Sequence, residues 1–133
     1  METYKEKLIR VPNYKDSRGD ICVIEFEKLY GFIPRRSYYI SNVPLNKNRA
    51  DHGHLELQQV FLPISGRFVI DISDKSGTRT YKLNSNSETL YVPKKKWRKL
   101  YNFSENCICL VYASLEYDLS DYYYDKEDFI KEL

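Results

Sequence analysis

His52 and His54 are the only two histidines in the 133-residue chain, and a single glycine separates them. In an extended segment, residues i and i+2 share a face, so both imidazoles project to the same side. Imidazole is the side chain whose ordinary pKa lies closest to neutrality. Two on one face therefore suit either metal ligation or acid–base chemistry. A bare His-x-His is short, and which chemistry it serves depends on what the rest of the chain brings to it.

The chain has to supply strands to present that pair. Thirteen tyrosines and six phenylalanines against five glycines and five prolines favour β-structure. Strands are expected over 7–12, 21–26, 36–40, from Arg49 through the histidines, and over 58–64, 67–72, 78–83, 90–93 and 107–113. Turn clusters at 16–20, 65–66, 74–77 and 84–87 separate them, and 41–48 is a loop. Lys94–Lys99 reads as a solvated basic segment around Trp97. Residues 125–133 read as a short terminal helix with Phe129, Ile130 and Leu133 on its inner side. Short strands at regular spacing predict an all-β antiparallel sandwich or barrel in one domain, 1–133.

Composition narrows the function classes. A net charge of +2 gives no general affinity for nucleic acid, and no apolar run approaches membrane-spanning length. Cys22, Cys107 and Cys109 are odd in number and lack Cys-x-x-Cys spacing, and Cys107 and Cys109 sit at strand spacing in an apolar run, which predicts buried thiols there in a reducing cytoplasm. The first residues lack the apolar region of a signal peptide.

Two longer patterns carry a resemblance. Cupins have Gly-x5-His-x-His-x3,4-Glu-x6-Gly, which lands on His52, His54, Gln59 in place of Glu, and Gly66, with Asn46 for the leading glycine. Their second motif, Gly-x5-Pro-x-Gly-x2-His-x3-Asn, lands on Ser87, Pro93, Lys95, Arg98 and Asn102, with Arg98 in place of His. The chain thus resembles the cupin superfamily, which implies a jelly-roll antiparallel β-barrel. The substitutions alter the chemistry. Arginine has no lone pair to give and repels a divalent cation, so two neutral ligands remain, too few for a tight first-row metal site. No metal and no cofactor are expected.

A narrower resemblance spans nearly the whole chain. Arg49-x-x-His52-x-His54-x4-Gln59, the preceding Arg36-x-Tyr38-Tyr39-Ile40 and the later Leu90-Tyr91-Val92-Pro93-x3-Trp97 are similar to the nucleotide-sugar 3,4-ketoisomerases. Tyr101–Ser104, Leu110–Ser114 and the Tyr-Asp-x-x-Asp-Tyr pattern at 117–122 fit the same family. Leu55 stands where the family commonly has lysine, and Arg98 where it often has histidine. The resemblance implies conversion of dTDP-4-keto-6-deoxyglucose to its 3-keto isomer without a metal, upstream of a PLP aminotransferase and a surface glycan. It implies His52 as the base, with His54 hydrogen-bonding the sugar oxygens or relaying the proton, and Tyr39 as the phenol donor. Gln59, Arg18 and Arg98 would face the sugar, Arg49 the diphosphate, and Trp97 or Tyr123 would flank the sugar or thymine. A homodimer is implied as well. The other readings are a non-catalytic cupin that binds a small ligand, a metal-dependent cupin with an incomplete site, and a 3,5-epimerase, whose register fits less well.

Overall fold

Apolar–polar alternation cut by Gly, Asn and Ser turns builds strands. The computed structural model describes residues 4–84 and 86–133. Residues 1–3, which open the stretch read for a signal peptide, and Ser85 of the expected 84–87 turn lie outside the described residues. In chain order the elements are β1 (Lys7–Arg10), β2 (Asn13–Asp16), β3 (Gly19–Cys22), α1 (Phe26–Tyr30), β4 (Arg36–Ser41), β5 (Arg49–His54) and β6 (Gln59–Ser65). Then come β7 (Phe68–Asp74), β8 (Gly77–Leu83), β9 (Glu88–Val92), β10 (Lys96–Tyr101), β11 (Ile108–Ala113), β12 (Tyr122–Tyr123) and α2 (Lys126–Lys131). A 3-10 turn at Leu119–Asp121 precedes β12.

The strands form two five-stranded antiparallel sheets, ordered β1-β9-β6-β11-β4 and β12-β5-β10-β7-β8. Each sheet is hydrogen-bonded within itself, so the jelly roll is a two-sheet sandwich rather than a closed cylinder. Between the sheets, Ile40, Phe61, Phe68, Ile70, Leu90, Leu100, Cys109 and Val111 form the apolar core. Where β6 and β10 begin, the filling turns polar: His54, Gln59, Lys96 and Arg98 are all buried there. Gly66 turns the chain from β6 to β7 at φ 75°, a conformation that favours glycine.

Each sheet has one outer face covered by a helix. Phe26 and Tyr30 of α1 pack with Phe32 against Tyr91 and Tyr112 on the first sheet. On the second, Phe129 of α2 is fully buried, 5.9 Å from the Trp97 ring. It lies directly over Gly53, where a Cβ would meet its ring at 2.7–2.8 Å. The residue between the two histidines is therefore glycine because an aromatic ring occupies the space a side chain would need.

Four elements differ from the sequence expectation. β2 and β12 are strands where none was expected, the strand expected over 21–26 ends at Cys22 and gives way to α1, and β10 stands where a solvated basic segment was expected. Lys96, Trp97 and Arg98 are 6%, 4% and 0% exposed. Charges can lie on a buried strand only when paired. Lys96 Nζ reaches Asp74 Oδ2 at 2.5 Å, and Asp74 is also held by Arg79, which holds Glu6.

Candidate active site

His52 and His54 point inward from β5. The β5–β10 register sets Arg98 opposite His52 and Lys96 opposite His54, with an irregularity between Arg98 and Leu100. The two imidazole rings lie 4.7 Å apart, nearly perpendicular. His52 lines a groove of about 830 Å³ together with Tyr38, Arg49, Tyr117, Tyr122 and Tyr124. His54, Gln59 and Arg98 form the buried layer behind it.

Asp121 orients His54. Its Oδ2 lies 3.2 Å from Nδ1 and accepts the Leu57 N–H, while its Oδ1 accepts the N–H groups of Leu55 and Glu56. A carboxylate facing three donors is an acceptor, so Nδ1 carries the imidazole proton. Nε2 is then a bare acceptor, and it has no hydrogen-bond partner among the described residues. Tyr122, on the strand paired with β5, sets its ring 4.5 Å from His54 and 4.9 Å from His52.

Charge around the pair is one-sided. Burial, followed by the Arg98 guanidinium, lowers His52 to about 4. Burial, Arg98 and then His52 itself lower His54 to about 2, with Asp121 opposing. Arg98 is lowered to about 10 by burial and stays charged at neutral pH. Both imidazoles are thus neutral at pH 7, with a lone pair available on each. In the unfolded chain they titrate near 6.5, so the folded state binds fewer protons below that pH. This contribution to stability is complete above pH 6.5 and is lost as pH falls, toward 4 for His52 and toward 2 for His54. On the order of 2 kcal/mol per imidazole is expected to go by pH 4.5. Urea midpoints at pH 7.5 and 4.5 measure it, and equal midpoints would show that the histidines are not held neutral.

The remaining expected residues separate into two sets. Gln59 and Arg98 meet directly, Arg98 Nη1 donating to Gln59 Oε1 and Nη2 to the Lys96 carbonyl at 2.9 Å. Arg49 lines the groove, beside Lys47 and Arg36. Tyr39 lines the outer part of the same groove: alternation along β4 turns Tyr38 inward to the histidines and leaves Tyr39 69% exposed on the rim. Trp97 faces away from the cavity, as its neighbour Arg98 faces in. It packs under α2 and donates Nε1–H to Asp51 at 2.9 Å. Tyr123 is likewise on the outer face, 5.4 Å from Phe129, and its neighbour Tyr122 takes the inner position. Arg18 sits on the β2–β3 hairpin, paired with Asp16 at 2.7 Å and outside the groove of its own chain. Tyr38, Asp121 and Tyr122 are the site residues that sequence reasoning missed. Tyr38 was legible as the alternate member of a Tyr-Tyr pair, and Asp121 and Tyr122 end the Tyr-Asp-x-x-Asp-Tyr pattern.

The family FdtA, described as WxcM-like, C-terminal, matches residues 4–133. The chain belongs to this family. A relative, the TDP-4-oxo-6-deoxy-alpha-D-glucose-3,4-oxoisomerase of Aneurinibacillus thermoaerophilus, is 32% identical over 127 residues, covering 96% of this chain and 91% of its own. Among solved FdtA-like structures, a mutant of the 3,4-ketoisomerase QdtA from Thermoanaerobacterium thermosaccharolyticum in complex with TDP-4-keto-6-deoxyglucose superposes with a TM-score of 0.92. It is 30% identical, with 98% of this chain and 95% of that chain covered. The TDP-quinovose 3,4-ketoisomerase WlaRB from Campylobacter jejuni gives a TM-score of 0.90 at 32% identity, over 95% of this chain and 97% of that one.

Proposed function

We propose that this FdtA-family chain is a metal-independent 3,4-ketoisomerase that converts dTDP-4-keto-6-deoxyglucose to a dTDP-3-keto-6-deoxyhexose. The observation that carries the reading is the pair of neutral imidazoles on β5, with a buried cation in register beside them. Relatives named for this reaction support the substrate.

The C3 proton is acidified by the C4 ketone, and one base removes it to give an enediolate across C3 and C4. Reprotonation at C4 leaves the ketone at C3. His52 is the base because its ring lines the groove. A base lowered to about 4 by burial and then by Arg98 is weak, but the anionic diphosphate opposes that cation and raises the imidazole toward neutrality. The bare Nε2 of His54 takes the hydroxyl proton that must move between the two oxygens. Arg98 stabilises the enediolate, and Arg49 meets the diphosphate through its guanidinium fork. The donor set supports a metal-free reading: where a cupin metal site would place its third imidazole and its carboxylate stand a guanidinium and an amide. A 3-keto sugar suits a PLP aminotransferase, and the amino sugar a surface glycan.

EDTA-treated protein, the dTDP-4-keto sugar and deuterated buffer test the reading by NMR. Deuterium at C4 of a 3-keto product is the expected result. Tight TDP binding with no exchange would instead identify a non-catalytic binding module, and deuterium at C3 and C5 with the C4 ketone intact an epimerase.

The reading places the enzyme in the cytoplasm as a homodimer. All three cysteines are free thiols, as a reducing compartment keeps them. The β2–β3 hairpin pairs with neither large sheet, and it exposes the cross-strand pair Tyr14 and Ile21 at 63% and 66%. A second copy would cover such a pair, and only across that contact would Arg18 approach a groove. Sedimentation at micromolar concentration is expected to give twice the chain mass, and a monomer would count against the dimer.

A further inference from the structure

Lys96 and Arg98 are buried cations on the same face of β10, and the fold treats them differently. Lys96 meets a carboxylate, Asp74, and Arg79 beside it meets both Asp74 and Glu6. Arg98 meets no carboxylate among the described residues: its Nη1 donates to Gln59 Oε1, its Nη2 to the Lys96 carbonyl, and its Nε has no acceptor there. The carboxylate whose field reaches it, Asp121, has its oxygens taken by the Leu55, Glu56 and Leu57 N–H groups and by His54 Nδ1. The other groups facing it are the phenols of Tyr38 and Tyr122 and the two imidazoles. A guanidinium only donates, so the Gln59 atom toward it is the carbonyl oxygen, and the amide nitrogen donates to Tyr38 Oη at 3.0 Å. A glutamate has the same shape and would reach Arg98 with the same oxygen. A buried charge without a counter-charge costs stability, so its persistence beside a position able to hold a carboxylate points to a use for the charge.

Resting on the isomerase reading, we propose that Gln59 is a positioning residue that holds Arg98 in place while leaving its charge uncompensated, so that the guanidinium serves the anion the reaction forms. The amide gives Arg98 the direction a carboxylate would give it and withholds the negative charge. The field of the guanidinium then acts twice. After burial, it is the largest influence keeping both imidazoles neutral and able to accept a proton. It also meets the enediolate as a cation that no fixed anion has quenched. A carboxylate at position 59 would do the reverse. It would raise both imidazoles, pair off the cation and repel the enediolate, while relieving the fold of an unpaired buried charge.

The test compares wild type, Gln59→Glu and Gln59→Met by NMR titration of the imidazole protons from about pH 5 to 8, by steady-state kinetics and by thermal melting. His52 and His54 are the only histidines, so each titration is read without overlap from others. Wild-type imidazoles are expected to stay neutral throughout. In Gln59→Glu the His52 titration should move up by about 1–3 units, into the measured range. Its kcat should fall about 10²-fold, and its melting temperature should hold or rise. Gln59→Met removes the acceptor and adds no charge, so it should melt lower with both imidazoles still neutral. An unmoved His52 in Gln59→Glu, or kcat within about threefold of wild type, would overturn the assignment. So would a Gln59→Glu protein that melts well below wild type, because no pair with Arg98 would have formed. Imidazoles in Gln59→Met that titrate like those of Gln59→Glu would overturn it as well, since geometry rather than charge would be at work. Wild-type protein that fails to isomerise the substrate would overturn the isomerase reading alone, because the imidazole titration decides the charge assignment without turnover.

Discussion

Replacing His52 with asparagine is expected to lower kcat by about 10³–10⁴-fold while TDP still binds, because an amide keeps the shape and polarity of the position but accepts no proton. The ring it removes is the imidazole that lines the groove, held neutral by burial and by Arg98. Loss of the base stops the first step, so C3 deuterium exchange and product formation should fall together. His54→Asn should behave differently. Its Nε2 lies in the buried layer and is assigned the proton between the sugar oxygens, so C3 exchange should outlast product formation. A His52→Asn protein within tenfold of wild type in C3 exchange would transfer the base to His54.

Phe129→Ala is expected to cost about 3–5 kcal/mol, read as a drop in melting temperature of roughly 10–20 °C. The side chain is fully buried against Trp97, Tyr123 and the backbone of Gly53, where nothing else on α2 can replace it. The effect should extend to catalysis. α2 follows β12 directly, and β12 meets β5 through only Tyr122 and Tyr123. Loosening it frees Asp121, and with it the proton position on His54. Turnover should therefore fall at temperatures where circular dichroism still shows a folded chain. Phe129→Leu should recover most of both losses. A change of under about 1 kcal/mol would mean that α2 is not anchored through this ring.

The two histidines were legible because their face needs only the two-residue period of a strand, and the second motif was legible from spacing. Gln59 and Arg98 came with those motifs and proved to touch. β10 was not legible. Lys94–Lys99 carries five cations, and local composition cannot show that Asp74 waits 22 residues upstream for Lys96. Trp97 and Tyr123 lie on the outer face, and Tyr39 on the groove's rim rather than beside the histidines, for one reason: adjacent strand residues face opposite ways, and phase depends on register with neighbouring strands. Asp121 escaped because its contact with His54 spans 67 positions and leaves no periodic trace.

That span also has a consequence for synthesis. His52 and His54 leave the ribosome long before Asp121, Tyr122 and the ring of Phe129 that pins them. Every strand of the two sheets but β12 precedes Asp121 in the chain, around an imidazole whose proton nothing else places. The proton position on His54 is therefore set only once the segment carrying Asp121, Tyr122 and Phe129 has docked on β5.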